Sequence, residues 1–216
     1  IKTIADRNNI EMLDCYTGFK WIAREIRLLE GKKKYIGGGE ESYGFLAEDF
    51  VRDKDAVSAC CLIAEVAAWA KDNGKSLYEL LQDIYVEYGF SKEKGISVVK
   101  KGKSGAEEIQ KMMADFRSNP PKEMAGSPIV LWKDYKALKQ TDANGQVTDI
   151  DMPDTSDVLQ YFTADGSKVS VRPSGTEPKI KFYVEVKGEM KCRGCYEGAN
   201  ADADEKIKTV LNSLGV

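Results

Sequence analysis

Histidine does not occur in the chain, cysteine and proline are sparse, and no long apolar run is present. Without an imidazole, neither a Ser-His-Asp nor a Cys-His nucleophilic site can be assembled from these residues. Any acid or base has to be a carboxylate, Lys, Tyr or Cys. No apolar stretch approaches the roughly 18 residues that a membrane span needs, and no basic segment followed by an apolar core marks a signal peptide. The expectation is a cytoplasmic protein with no membrane partner. A formal net charge of −3 offers no general attraction for nucleic acid, so none is expected as a partner.

Five cysteines make an odd number, and no disulfide framework is implied. Cys60 and Cys61 stand in an apolar helical run and read as buried thiols of a reducing compartment. Cys192-Arg193-Gly194-Cys195 has the spacing of a zinc or redox motif. A zinc site would need two further ligands, and there is no histidine and no second such pair. The segment is therefore expected to be a surface loop without a metal.

With 42% hydrophobic and 31% charged residues, the composition is that of a soluble globular protein of one large or two modest domains. Ile1 to Asn9 reads as the end of a helix, so the sequence is expected to be a piece of a longer protein. Ile10 to Cys15 is a strand candidate. Phe19, Ile22, Ile26 and Leu29 repeat at helical spacing after Thr17-Gly18. A second strand starts at Tyr35-Ile36 and runs into Gly37-Gly38-Gly39-Glu40-Glu41-Ser42-Tyr43-Gly44. Glycines there permit close approach of a ligand, and two carboxylates with a hydroxyl suit vicinal sugar hydroxyls; a glycine-rich turn with exposed acids fits as well. Arg52-Asp53-Lys54-Asp55 opens an apolar helix, Ala56 to Ala70, expected to be buried on most faces, with Asp residues suited to its positive end. Ser76-Leu77-Tyr78-Glu79 has capping-box spacing ahead of a helix that ends at Gly89. Alternating strands and helices up to this point give an α/β pattern.

Beyond Phe90 the texture turns to strands and turns. Ile96 to Lys100, Ser127 to Trp132 and Val158 to Thr163 read as strands, Ser104-Gly105-Ala106-Glu107 as a capping box opening a helix, and Asp202 to Leu214 as a last helix. This is a small α+β domain, an antiparallel sheet with helices on one side. Its centre is Val171-Arg172-Pro173-Ser174-Gly175-Thr176-Glu177-Pro178-Lys179, between a strand from Lys168 to Val171 and an alternating strand from Ile180 to Val186. A tetrahedral phosphate needs convergent donors: a guanidinium fork such as Arg172, hydroxyls such as Ser174 and Thr176, an ammonium such as Lys179, and backbone N–H groups exposed at Gly175. The same residues also read as a plain hairpin turn with solvated charges.

The loop resembles the phosphate-binding loop of the α-D-phosphohexomutases, in the branch of phosphoglucomutases and phosphopentomutases that write it Arg, any, Ser, Gly, Thr, Glu, Pro, Lys. Gly39-Glu40-Glu41-Ser42-Tyr43-Gly44 is similar to that family's sugar-recognition loop, which places Glu40 and Ser42 on substrate hydroxyls. The resemblance further implies an electrostatic or proton-transfer role for Lys54 near the transferring phosphoryl group, and a position for Lys20 at the border of the cleft. It covers essentially the whole chain, residues 1–88 as the later part of the third domain and 89–216 as the fourth. In the family a phosphoserine of the first domain phosphorylates a hexose phosphate, a glucose 1,6-bisphosphate-type intermediate turns over, and Mg2+ is held by an Asp-rich loop of the second domain. Neither the serine motif nor the metal loop is found here; Asp151, Asp154 and Asp157 are spaced differently, so no metal site is expected in this chain. The implied activity is interconversion of hexose 1-phosphate and hexose 6-phosphate, carried out together with the N-terminal domains of the same polypeptide. This stretch would be inactive alone. A phosphopentomutase, a sugar-1,6-bisphosphate synthase or a non-catalytic phosphosugar-binding module remain alternatives.

Overall fold

A computed structural model describes residues 1–40, 43–100, 102–175 and 177–216. The chain divides into two compact units, Ile1–Ile84 and Tyr85–Val216. The first unit holds helices α1 (Lys2–Arg7), α2 (Phe19–Leu29), α3 (Ala56–Asp72) and most of α4 (Leu77–Tyr88), with two short strands, β1 (Gly37–Gly39) and β2 (Phe45–Ala47). These pair antiparallel, Gly37 opposite Ala47 and Gly39 opposite Phe45. Phe19 and Ile26 of α2 are buried with Leu46 of β2, and Ile22 and Tyr35 pack around them. Spacings of three and four along α2 put its apolar residues on the stripe that meets the strand.

Several expectations fail in this unit. Ile10 to Cys15 forms no strand, and the glycines after Ile36 carry β1 themselves. Nor is α3 buried on most faces. Of its residues only Ala70 is buried, Val57, Ile63 and Trp69 are more than half exposed, and Cys60 and Cys61 lie on the surface as free thiols. A two-stranded sheet covers one flank of a helix at most, so an apolar composition all round cannot by itself secure burial. Its start follows expectation: the Asp55 carboxylate accepts from the Val57 N–H at 3.0 Å, a side-chain cap. The box before α4 forms in both directions, Ser76 N–H to the Glu79 carboxylate at 2.7 Å and Glu79 N–H to the Ser76 hydroxyl at 3.2 Å.

The second unit is built on β3 (Phe90–Val99), β4 (Glu123–Met124), β5 (Ser127–Asp134), β6 (Lys139–Asp142), β7 (Val147–Asp149), β8 (Leu159–Thr163), β9 (Lys168–Pro173) and β10 (Lys179–Gly188), with helices α5 (Gly102–Ser118) and α6 (Tyr196–Ser213). The sheet is antiparallel in the order β3-β10-β9-β8-β5-β6-β7, and β4 pairs with β5. Along β10 the alternate residues Ile180, Phe182, Val184 and Val186 are 0–1% exposed. They meet Ile109 and Met113 of α5 and Ile207 and Val210 of α6 in one core, so both helices lie on the same face. Each fully buried side chain of that size contributes roughly 1.5–3 kcal/mol. The Tyr161 hydroxyl, buried in the same layer, donates to the Phe116 carbonyl at 2.9 Å, and burial pushes its pKa well up.

Several limits differ from the sequence reading. β3 starts at Phe90 because ten residues of β10 pair with it, Gly188 to Phe90 through Lys179 to Val99. α5 starts at Gly102, which leaves Ser104 inside the helix, where it cannot cap it. β6 and the edge strand β7 are short and polar, β7 exposed throughout, without the alternation that would announce them. α6 begins six residues before Asp202, directly after a 3-10 turn at Arg193–Cys195. That turn corrects the expectation that no disulfide is implied. Residues i and i+3 nearly eclipse in a 3-10 turn, and the structure joins Cys192 to Cys195 with their Cα atoms 5.3 Å apart.

The β8–β9 turn is tied to α6 through Asp165. Its carboxylate accepts from the Thr163 hydroxyl at 2.5 Å and the Ser167 N–H at 3.1 Å, and pairs with Lys206 at 2.7 Å. Partial burial alone would raise its pKa, but these hydrogen bonds, Lys206 foremost, outweigh it and hold the group below the usual carboxylate range. A depressed folded-state pKa contributes stability above the unfolded value of about 3.9, and that contribution fades as pH falls through the folded value. Urea unfolding of Asp165→Asn should thus give a lower midpoint than wild type at pH 7, with the gap narrowing below pH about 4. A gap independent of pH would contradict this assignment.

Candidate functional site

The β9–β10 hairpin sets out the first group of expected site residues. Pairing runs up to Pro173 opposite Ile180, with Arg172 opposite Lys181. The loop beyond is closed by Ser174 N–H to the Lys179 carbonyl at 2.8 Å and Lys179 N–H to the Glu177 carbonyl at 2.7 Å. From the side, Lys100 N–H donates to the Pro178 carbonyl at 2.9 Å. Val171 is in the core, so strand alternation turns Arg172 to the opposite face. Ile180 is likewise in the core, which sends Lys179 and Lys181 to the face that Arg172 occupies. The Lys179 ammonium pairs with the Glu177 carboxylate, and that hydrogen bond lowers the pKa of Glu177. Among the described residues, neither the Arg172 nor the Lys181 side chain makes a hydrogen bond or a close ion pair with another, although the Lys181 charge also lowers the pKa of Glu177. Three cations and one carboxylate thus occupy one end of the hairpin.

Lys181 was not singled out by the sequence reading, which treated it as an ordinary outward residue of an alternating strand. Only the register reveals it. Directly opposed residues of an antiparallel pair have Cβ atoms about 4.5–5.5 Å apart, and like charges so placed are destabilising. An anion between the two cations removes that penalty. Gly175 fits the same picture. Its φ is not in the left-handed region, and a Cβ there would meet nothing within 4 Å. Neither backbone strain nor a protein neighbour explains the glycine, whereas an unobstructed N–H for a ligand does. Thr176 lies outside the described residues.

On the helix side of the loop an open cavity of about 700 Å³ is walled by Ser174, Gly175 and Pro178 with Ala106, Gln110 and Asp157. Arg172 and Lys179 are not in its wall. The loop tip therefore borders two surfaces, one cationic on the open sheet face and one of mixed polarity against α5.

In the first unit the structure brings Glu40 and Lys54 together across Gly44. Glu40 N–H donates to the Gly44 carbonyl at 2.9 Å and Tyr43 N–H to the Glu40 carbonyl at 3.2 Å. A Cβ on Gly44 would stand 2.8 Å from Glu40 Oε1 and 3.1 Å from Lys54 Cδ, so any side chain there would separate the pair. Lys54 Nζ donates to the Asp53 carboxylate at 3.1 Å and lies 5.7 Å above the Phe19 ring. Beside it a shallow cavity of about 440 Å³ is lined by Tyr43, Gly44, Phe45, Lys54, Ala59 and Ile63. Lys20 is exposed with Nζ 5.0 Å from the Trp21 ring centre, and no described contact joins it to Glu40 or Lys54. Ser42 lies outside the described residues. Tyr43, fully exposed with φ of 66°, is a second residue the sequence reading passed over. A bulky residue held in the left-handed region and open to solvent is the sort of strain that collects at binding loops.

Among the described residues no group of three or more Asp, Glu or Cys side chains is placed to hold a metal ion, and no helix is long and apolar enough to cross a membrane.

Comparison with known proteins agrees with this layout. The family model for the alpha/beta/alpha domain III of phosphoglucomutase/phosphomannomutase matches residues 1–88, and the model for the C-terminal domain of the same proteins matches residues 97–197. A phosphoglucomutase of Staphylococcus epidermidis is 41% identical over 186 residues, which cover 86% of this chain and 34% of that protein. One from Staphylococcus aureus strain MSSA476 is 40% identical over 212 residues, 98% of this chain and 37% of the relative. The chain spans about a third of the length of the curated relatives it matches. Among solved structures, the open form of the exocytosis-sensitive phosphoprotein pp63/parafusin, a Paramecium phosphoglucomutase, superposes on 99% of this chain and 35% of its own, with a TM-score of 0.64 at 17% identity. With its two units matched in turn by domain III and the C-terminal domain, the chain belongs to the phosphoglucomutase/phosphomannomutase family.

Proposed function

We propose that the chain grips a phosphosugar in an enzyme that interconverts hexose 1-phosphate and hexose 6-phosphate through a phosphoserine and a bisphosphorylated sugar. The observation that carries this reading is the opposed Arg172–Lys181 pair beside an unobstructed Gly175. A phosphate dianion is the ligand that such a cup would take. Arg172 supplies the bidentate fork, Lys179 and Lys181 supply charge, and Ser174 with the N–H groups near Gly175 supplies short hydrogen bonds. Glu40, and Ser42 with it, would select the sugar by its hydroxyls. Lys54, flanking the same glycine as Glu40, would stabilise charge on the transferring phosphoryl group. Lys20 would contribute to the same sugar-binding region.

Holding the distal phosphate and the hydroxyls at once fixes the reacting end of the substrate, and orientation of that kind accounts for much of the rate in phosphoryl transfer. The serine nucleophile and the Mg2+ ligands are proposed to come from the remainder of the polypeptide. The described residues supply no ligand set for Mg2+, so no step is assigned to the metal here.

The test is an NMR titration of this chain with glucose 6-phosphate, glucose 1-phosphate, ribose 5-phosphate and inorganic phosphate. All four should perturb the amides around 172–181, and the sugar phosphates should also perturb Glu40 and its neighbours, with the hexose forms binding more tightly than ribose 5-phosphate. Arg172→Ala should weaken every ligand by roughly tenfold or more, the value of a charge-assisted hydrogen bond of about 1.5–3 kcal/mol. Unchanged affinities in Arg172→Ala would sink the reading. A coupled assay of the chain alone, with Mg2+ and glucose 1,6-bisphosphate supplied, should give no interconversion of the two glucose phosphates. Measurable turnover would refute the proposed division of labour.

A further inference from the structure

The strand that begins at the phosphate loop ends, ten residues on, next to a feature that phosphate binding does not use. β10 closes at Gly188, and Cys192 and Cys195 follow in the turn that leads into α6. Cys195 N–H donates to the Cys192 carbonyl at 3.0 Å, so the backbone of the turn holds the two residues together whether or not sulfur is bonded to sulfur. Their Cα separation of 5.3 Å falls within the range a disulfide accepts without backbone movement. The remaining cysteines, Cys15, Cys60 and Cys61, are free thiols.

The two sulfurs are not equivalent. Cys192 is exposed, whereas Cys195 is half-buried and packs against the core beside Tyr196. Cys192 is the N-cap of the 3-10 turn and Cys195 that of α6, so what distinguishes the two sulfurs is exposure, which leaves Cys192 open to a disulfide in solution. A bond closing so short a loop restricts the unfolded chain little, which makes it a poor staple and an easily reversed one.

We propose that Cys192 and Cys195 form a dithiol–disulfide site that exchanges with low-molecular-weight disulfides and thiols of the glutathione class. In the oxidising direction the Cys192 thiolate attacks one sulfur of the disulfide RSSR. The S–S bond of RSSR breaks, and the departing thiolate takes up the proton that Cys192 gave up. The Cys195 thiolate then attacks the Cys192 sulfur of the mixed disulfide and displaces the second RS−, which takes the proton from Cys195. Two protein thiols are oxidised to one disulfide while one RSSR is reduced to two RSH, and excess RSH reverses both steps. Tyr196, next to Cys195, stacks on Tyr85 and meets Phe90 edge-on at the start of α6.

The experiment equilibrates the purified chain in mixtures of reduced and oxidised glutathione, quenches with acid, alkylates the remaining thiols and maps the peptides by mass spectrometry. The expected result is a reversible two-electron transition confined to Cys192 and Cys195, with half-oxidation inside the accessible range of glutathione mixtures. In Cys195→Ser, Cys192 should accumulate a mixed disulfide with glutathione. In Cys192→Ser, Cys195 should do so at least about tenfold more slowly, as its partial burial requires. Failure of the wild-type pair to oxidise in any mixture would overturn the proposal, and so would a bond that millimolar glutathione does not open. Equal rates in the two variants would overturn the assigned roles. Because the wild-type arm needs no variant, loss of folding in either serine variant leaves a decisive result.

Discussion

The register of β10 between β3 and β9 is the constraint on which the second unit depends. With Phe182 opposite Val171 and Ile96, and Lys181 opposite Arg172 and Ser97, every second residue enters the core beneath α5 and α6, while the cations face the other way. A slip of one residue would bury the lysines and expose Ile180, Phe182 and Val184 together, at a cost of several kcal/mol for each unpaired charge desolvated. Packing therefore fixes the Arg172–Lys181 juxtaposition. The core supplies the force that holds two like charges opposite each other at the end of the hairpin that carries the 174–178 loop.

The fold and the site differed in how far the sequence disclosed them. The alternation from Ile180 to Val186 and the stripe Ile109, Met112, Met113, Phe116 are strong patterns, because each element buries one face against one partner. The donors proposed for the 172–179 loop stand out residue by residue, since they are crowded into one short segment. Lys181 was not, because its significance lies in what stands opposite it and pairing partners are not written locally. Tyr43 escaped for a similar reason, as its backbone conformation has no signature in the side chain. For α3, hydropathy states a preference for burial without saying what would do the burying, and within its own unit little does. The short strands β6 and β7 escaped because neither buries a full face, so no alternation is imposed on them. The C-x-x-C segment was judged by its lack of further metal ligands, a test blind to the turn that brings the two cysteines together.

Within the first unit a comparable economy operates around Gly44. The small residue lets the Glu40 carboxylate and the Lys54 stem both approach one backbone position. Family membership explains why two such loops, far apart in sequence, coexist in one chain. Each belongs to a domain matched separately by its own family model, and each unit forms its own loop from contacts internal to that unit.

The central claim, that the β9–β10 loop is an anion receptor held under like-charge strain, is tested most directly by thermal unfolding at matched ionic strength in phosphate and in chloride. A ligand that binds only the native state raises Tm in proportion to the logarithm of its saturation. The account predicts a Tm that rises with phosphate concentration for wild type and not for Arg172→Ala. It also predicts that Lys181→Ala raises Tm in chloride, where the opposed charges have no anion between them. Identical curves in the two salts, together with a Lys181→Ala variant less stable than wild type in chloride, would contradict it.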